Sequence, residues 1–246
     1  MSGKRFCSSL VPDLWLGEQL GTQVWQVKEG ADGQSLETLK SSHSTFAYAK
    51  CSVSKVASVS KLADFGFRLV DTGVILEGRI DKGINPSSIH TRTAQKNDLS
   101  AVRNIASSTF RYSRFHLDPL FSDETANAIK AAWASNFFAG ERGDGMIVCE
   151  HHGQVVGFLQ LIWSSKSDLL IDLIAVAPTC QGLGIGRQMV LHAANYGTGD
   201  GRVPTKISVG TQVANVQSIR LYESLGLRIT SAQYILHYHS HRRGTV

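Results

Sequence analysis

Cysteine and proline are scarce in this 246-residue chain, with four and five copies, and aromatic residues make up only 8%. The cysteines, Cys7, Cys51, Cys149 and Cys180, form no CxxC pair. That argues against a zinc ribbon or a disulfide framework and for incidental or buried thiols in a reducing compartment. No apolar run approaches the roughly 18 residues of a membrane-spanning helix. Residues 1–7 hold two basic side chains but no apolar stretch follows them, so they do not read as a secretory signal. A strong charge excess is missing too: 25 Lys and Arg face 20 Asp and Glu, and the surplus is scattered. It suits anionic small ligands but forms no basic stripe for nucleic acid. A cytoplasmic protein with neither a nucleic-acid nor a membrane partner is expected. What the chain does have is 42% apolar residues, enough for one large domain or a domain with a smaller companion.

Residues 78–88 are polar and contain Asn85-Pro86 and Ser87-Ser88, which are linker signals. They set a boundary near residue 85, giving an N-terminal module over 1–84 and a chemistry-bearing domain over 85–246. In the second part strands and helices alternate. Strands are expected over 88–92, 146–149, 155–162, 169–176, 206–209 and 234–238, with His151-His152-Gly153 as a hairpin turn. Helices are expected over 97–110, 122–137, 184–196 and 215–225. The first part carries a repeat of the second, since residues 55–76 overlay residues 215–236. Val56, Ser58, Gly66 and Arg68 fall on identical Val216, Ser218, Gly226 and Arg228. Each copy reads as strand, helix, capping glycine and strand. The first copy has no Gly-rich turn before it, and Leu62 stands where Tyr222 stands. The N-terminal module is therefore expected to be a chemically silent half-domain that packs or walls a substrate site.

Chemistry concentrates in two segments. In the first, an apolar strand ends near Pro178, and Gln181, Gly182, Leu183, Gly184, Ile185, Gly186 and Arg187 lead into a helix. Glycines let backbone N–H groups approach a ligand, and a helix N-terminus favours a pyrophosphate. Arg187 adds a full charge. The spacing is neither the dinucleotide fingerprint nor a Walker loop. In the second segment Asn215 and Tyr222 lie seven apart, so they share a helix face. Asp172 is the only carboxylate within the apolar strand, and alternation puts it on the face of Ile174 and Val176. It reads equally as a base for an amine proton or as an acid bonded to backbone at a strand edge.

In this order and separation the two segments resemble the GNAT superfamily of acyl-CoA transferases. That resemblance implies an α/β fold of α+β type, with a mixed, mostly antiparallel splayed central sheet flanked by helices. The N-terminal module would be a smaller half-GNAT-like α/β unit. Acetyl-CoA would be the co-substrate, with its pyrophosphate on the turn from Gln181 to Arg187. Its pantetheine arm would lie along Ile174, Ala175 and Val176 and be held by Asn215. Tyr222 would protonate the departing thiolate, and no metal would be involved.

Within the superfamily, Phe110-Arg111-Tyr112-Ser113-Arg114-Phe115, Asp118-Pro119-Leu120-Phe121, the Trp133 helix and Thr211-Gln212 resemble the dTDP-fucosamine acetyltransferases of bacterial surface-polysaccharide synthesis. Phe46-Ala47-Tyr48-Ala49-Lys50 and the stretch 65–71 extend that likeness over nearly the whole chain. The acceptor implied is a nucleotide-linked amino sugar, a dTDP-4-amino-4,6-dideoxyhexose. Arg111, Tyr112, Arg114 and Phe115 would take its diphosphate and base. The competing readings are a GNAT enzyme acting on a protein N-terminus or another small amine, and a non-catalytic CoA-binding module. A homodimer is allowed but not specified. His237, His239 and His241 alternate at strand spacing on one face. A polar strand end running into His241-Arg242-Arg243 is preferred there to a metal site.

Overall fold

The computed structural model describes residues 9–41, 45–80, 89–199 and 201–240. Cys7, most of the 78–88 linker and His241-Arg242-Arg243 lie outside the described residues. In chain order the first elements are β1 (Leu10–Pro12), α1 (Leu14–Leu20), β2 (Gln23–Val27), α2 (Gly33–Ser41), β3 (Thr45–Ser52), α3 (Val56–Phe65) and β4 (Arg68–Gly78). Then come β5 (His90–Thr93), α4 (Leu99–Thr109), α5 (Asp123–Ala139), β6 (Gly145–His151), β7 (Gln154–Trp163) and β8 (Asp168–Val176). The last are α6 (Ile185–Ala194), β9 (Lys206–Gln212), α7 (Val216–Ser224) and β10 (Arg228–His239). No helix among the described residues is long and apolar enough to cross a membrane.

The chain forms two compact units. One comprises Met1–Gly73, Leu117–Leu120 and Ala232–Val246, and the other Val74–His116 and Phe121–Ser231. This division differs from the segments 1–84 and 85–246 that composition suggested. It falls inside β4, and the later part of β10 belongs with β3. Linker composition marks solvated chain, whereas compactness follows strand pairing, which a composition scan does not see.

In the first unit β1 pairs antiparallel with β2, β2 parallel with β3, and β3 antiparallel with β10, Phe46 facing His239. Asp13 caps α1 by accepting from the Leu16 N–H at 3.0 Å. The core is Leu10, Val27, Leu36, Leu39, Ala47, Ala49, Leu62, Phe67 and Leu236. Gly66, at φ 114°, closes α3 by returning its N–H to the Leu62 and Ala63 carbonyls. Gly226 follows α7 with φ 95°. Thus α3–β4 and α7–β10 stand at matching places in the overlay of 55–76 on 215–236.

The second unit holds an antiparallel run β5–β6–β7–β8, after which β8 and β9 pair in parallel. Mixed, mostly antiparallel pairing is what the sequence resemblance implied. His152 and Gly153, both at positive φ, turn β6 into β7. Helices α4 and α5 cover Met146, Val148, Phe158, Leu173 and Ala175. α6 lies on β7, where a Cβ added at Gly157 would stand 3.1 to 3.2 Å from Met189 and Ile185 side-chain atoms. The expected helix over 97–110 opens differently: Lys96–Asp98 is a 3₁₀ turn. Asp98 is buried there, bonded to Arg92 at 2.7 and 3.0 Å and to the Gln95 N–H at 2.7 Å.

Two irregularities position the site. The β8–β9 ladder stops at Ile171 and Val209, although β8 runs on to Val176 and β9 to Gln212. The β7–β8 ladder shifts register where Gln160 faces Leu173 and Leu161 faces Ile171, so Asp172 is the extra residue of a bulge.

Candidate active site

Beyond Ile171, β8 pairs with no strand among the described residues on its β9 side, so the edge carrying Asp172 to Val176 offers backbone N–H and C=O groups to an extended ligand. Ile174, Ala175 and Val176 lie on that stretch. At its end Gln181 folds back, its amide donating to the Val176 carbonyl at 3.1 Å. The turn that follows is exposed from Gln181 to Gly184. Gly182 and Gly184 have φ of 79° and 80°, and a Cβ at either would meet nothing within 4 Å. The backbone is therefore approachable from outside, and Gly184 caps the 10-residue α6 with its free N–H groups facing the turn. Arg187 sits in the first turn of α6 and donates to Ser224 Oγ of α7 at 3.1 Å.

That contact ties α6 to α7. A second one is made at Gly186, where a Cβ would come within 3.4 Å of Leu221. Asn215 is the N-cap of α7, its Oδ1 accepting from the Ser218 N–H at 3.3 Å. Tyr222 is 2% exposed, and no described residue hydrogen-bonds its hydroxyl. Burial pushes the phenol well above its ordinary range, so it stays protonated as a donor.

Asp172 does not sit where simple alternation put it. The bulge turns its carboxylate toward α5 and away from the face of Ile174 and Val176. Arg142 grips it through both oxygens, Nε at 2.7 Å and Nη2 at 2.6 Å, and the Trp133 indole N–H donates at 3.0 Å. The Gln160 amide adds a contact at 3.3 Å. The Arg142 guanidinium lies 4.9 Å over the Trp133 ring, and its bond to Asp172 raises its own pKa. A carboxylate with four donors on it, three of them on Oδ2, holds Arg142 and Trp133 in place. Arg142 and Gln160 were missed in the sequence. Arg142 lies in a motif-free loop, but Gln160, a fully buried amide inside an apolar strand, was a readable signal.

The expected sugar-nucleotide residues separate. Arg111 and Tyr112 are exposed. Arg114 is half-buried and stacks 4.5 Å over the Phe115 ring. Phe115 is 1% exposed and packs edge-on against Phe121 at 5.6 Å. It is a core residue with no face left for a nucleobase, which corrects the expectation placed on it.

Against known proteins, the acetyltransferase (GNAT) family model matches residues 99–227, just over half the chain. The chain belongs to the GNAT family. This GNAT chain is 32% identical over 140 residues to the spore coat polysaccharide biosynthesis protein SpsD of Bacillus subtilis (strain 168), covering 57% of this chain and 47% of that protein. It thus spans about half the length of that relative. It is 27% identical over 193 residues to the dTDP-fucosamine acetyltransferase of Escherichia coli O6:H1, covering 77% of this chain and 80% of that one. Among solved structures, a functionally unknown conserved protein from Staphylococcus epidermidis aligns with TM-score 0.61 at 15% identity, over 89% of this chain and 85% of that one. A tandem GNAT protein from the clavulanic acid biosynthesis pathway aligns with TM-score 0.61 at 11% identity, over 91% and 77%. At such identities the structures speak for the fold.

Proposed function

We propose that this GNAT enzyme transfers the acetyl group of acetyl-CoA to the amine of a nucleotide-linked amino sugar, a dTDP-4-amino-4,6-dideoxyhexose, for surface glycan synthesis. The observation that carries the acceptor is the likeness to the dTDP-fucosamine acetyltransferase over about four-fifths of both chains. The likeness to SpsD supports polysaccharide synthesis as the setting. The open turn at Gly182 and Gly184, the α6 N-terminus and the unpaired edge of β8 suit a pyrophosphate with an extended pantetheine arm. Gln181 to Arg187 bind the former. Ile174 to Val176 bind the latter as an added strand, helped by the Asn215 amide.

In the reaction the neutral amine attacks the thioester carbonyl, forming a C–N bond. A backbone N–H on the open edge of β8 stabilises the oxyanion. The C–S bond then breaks, Tyr222 gives its proton to the thiolate, and the nitrogen loses its extra proton to water. Asp172 is a positioning residue that holds Arg142 and Trp133, and no side-chain base is needed. Arg111 and Tyr112 meet the diphosphate side of the acceptor, with Arg114 behind them. The N-terminal half-domain repeat supplies no second coenzyme site, so calorimetry should give one acetyl-CoA per chain; two would overturn that part.

Thiol release from acetyl-CoA, followed with the 4-amino sugar nucleotide, with free amino sugars and with peptide amines, tests the whole. Selective turnover of the sugar nucleotide is expected. Turnover of another amine with none of the nucleotide sugar would refute the proposed acceptor.

A further inference from the structure

The unit that contains the N-terminal residues brings three metal-ligating side chains to one point, using none of the groups assigned to acetyl transfer. Asp118 lies in the short segment 117–120, while His237 and His239 sit two apart on β10 and so face the same way. His237 Nδ1 is 2.7 Å from Asp118 Oδ2, and His239 Nε2 is 2.8 Å from the same oxygen. All three ligand atoms lie within 4.8 Å of one another. Asp118 and His237 are 3% and 1% exposed by side chain, whereas His239 is 24% exposed and opens the cluster to solvent. The other Asp118 oxygen accepts from the Leu120 N–H at 3.0 Å, which fixes the carboxylate with Oδ2 toward the histidines. The Phe46 ring closes one side, 4.8 Å from the His237 ring and 4.9 Å from the His239 ring. A carboxylate oriented by a second hydrogen bond and rings backed by an apolar wall are the usual surroundings of a metal centre.

We propose that Asp118 Oδ2, His237 Nδ1 and His239 Nε2 form a zinc site, with water in the fourth position. Two imidazoles and one carboxylate suit zinc, while calcium and magnesium want six or more oxygens. Tetrahedral bonds to zinc put neighbouring ligand atoms about 3.3 Å apart. The two N···O pairs need to open by only about half an ångström, within small side-chain rotations. Zinc would replace the hydrogen bonds that the two rings now donate to Asp118 Oδ2, and each neutral ring would then carry its proton on the nitrogen that does not ligate. The ion pins residues 117–120 to the last strand, immediately after the stretch 111–115 in the chain. The sequence displays the His237 and His239 alternation but not Asp118, which comes 119 residues before His237.

The test uses untagged full-length protein, stripped with a chelator and then titrated with zinc against a chromogenic chelator, with bound metal counted by elemental analysis. One zinc per chain is expected. His239→Ala and Asp118→Asn should each weaken binding by at least about 10- to 100-fold, the range typical for loss of outer-shell partners. Cobalt(II) in place of zinc should give the intense visible bands of tetrahedral coordination, and these should vanish in His239→Ala. The buried Asp118→Asn protein is scored only if its circular dichroism is native; the partly exposed His239 site supplies the comparison otherwise. His151→Ala with His152→Ala removes the other close imidazole pair, 4.1 Å apart, and should leave binding unchanged. No zinc binding by the wild type, or undiminished binding by His239→Ala, overturns the site and leaves a cluster held by protons alone. Neither result bears on the acetyl acceptor.

Discussion

The substitution Asp172→Asn separates a base from a positioning residue. The wild-type carboxylate receives Arg142 Nε, Trp133 Nε1 and Gln160 Nε2 on Oδ2 and Arg142 Nη2 on Oδ1. An asparagine side chain there, with its amide oxygen in the Oδ2 place, keeps the first three and turns an NH₂ against Arg142 Nη2. One hydrogen bond and the charge pairing are lost. Hydrogen bonds to charged groups contribute about 1.5–3 kcal/mol. Arg142 is 40% exposed by side chain, so water takes over much of its solvation, and the larger cost of stranding a buried charge does not apply. For a chain of this size that corresponds to a fall of roughly 3–12 °C in melting temperature. In steady-state kinetics across pH, turnover should fall less than about tenfold, and the shape of the pH–rate profile should persist. Coenzyme affinity should hardly move, since the Gln181–Arg187 turn shares no bond with Asp172. A fall of about 10²–10⁴-fold, the usual value of general acid–base catalysis, with the acidic limb abolished and melting unchanged, would make Asp172 the base and refute this reasoning.

Tyr222→Phe removes only a hydroxyl and should lower turnover by about 10²–10⁴-fold while acetyl-CoA binding stays intact; near wild-type turnover in a chemistry-limited assay would assign the proton to another donor. Because burial holds the Tyr222 phenol above its ordinary range, wild-type turnover should show no alkaline loss from this group up to about pH 10. Gly184→Val meets no atom within 4 Å but forces a branched residue to φ 80°, at a cost of roughly 1–3 kcal/mol; the folded variant should show a raised KM for acetyl-CoA, and an unchanged value would move the pyrophosphate elsewhere. The Asp98 carboxyl is held below its ordinary value by Arg92 and the Gln95 N–H. Its contribution is therefore full above about pH 4 and is lost as pH falls through the lowered folded value. Asp98→Asn should cost about 1.5–3 kcal/mol at pH 7, and denaturant melts should show the gap closing in strong acid; a gap independent of pH would mean the ion pair is not its source.

Local chemistry made much of this protein legible in its sequence. Periodicity and capping residues announced the alternating strands and helices after residue 88. Gly182 and Gly184 pointed to a turn open to a ligand, since glycine takes φ near 80° without strain. Asn215 and Tyr222 marked a shared helix face, and the overlay of 55–76 on 215–236 marked the matching elements around Gly66 and Gly226. Each of these depends on residues a few positions apart, or on a pattern copied along the chain. What tertiary structure alone decided depends on strand register and on distant partners. Alternation assigned Asp172 to the open face, and a single bulge turned it to Arg142 and Trp133, because one extra residue reverses the side to which a side chain points. Phe115 looked like an aromatic platform until Phe121 covered it. Asp118 stood in the sequence only within the Asp118-Pro119-Leu120-Phe121 stretch, and it was β10 that brought His237 and His239 to it. Sequence specifies which groups a chain carries and which neighbours share a face. Only the folded chain fixes which donors have already claimed a given carboxylate, and that decides whether it moves a proton, holds an arginine or binds a metal.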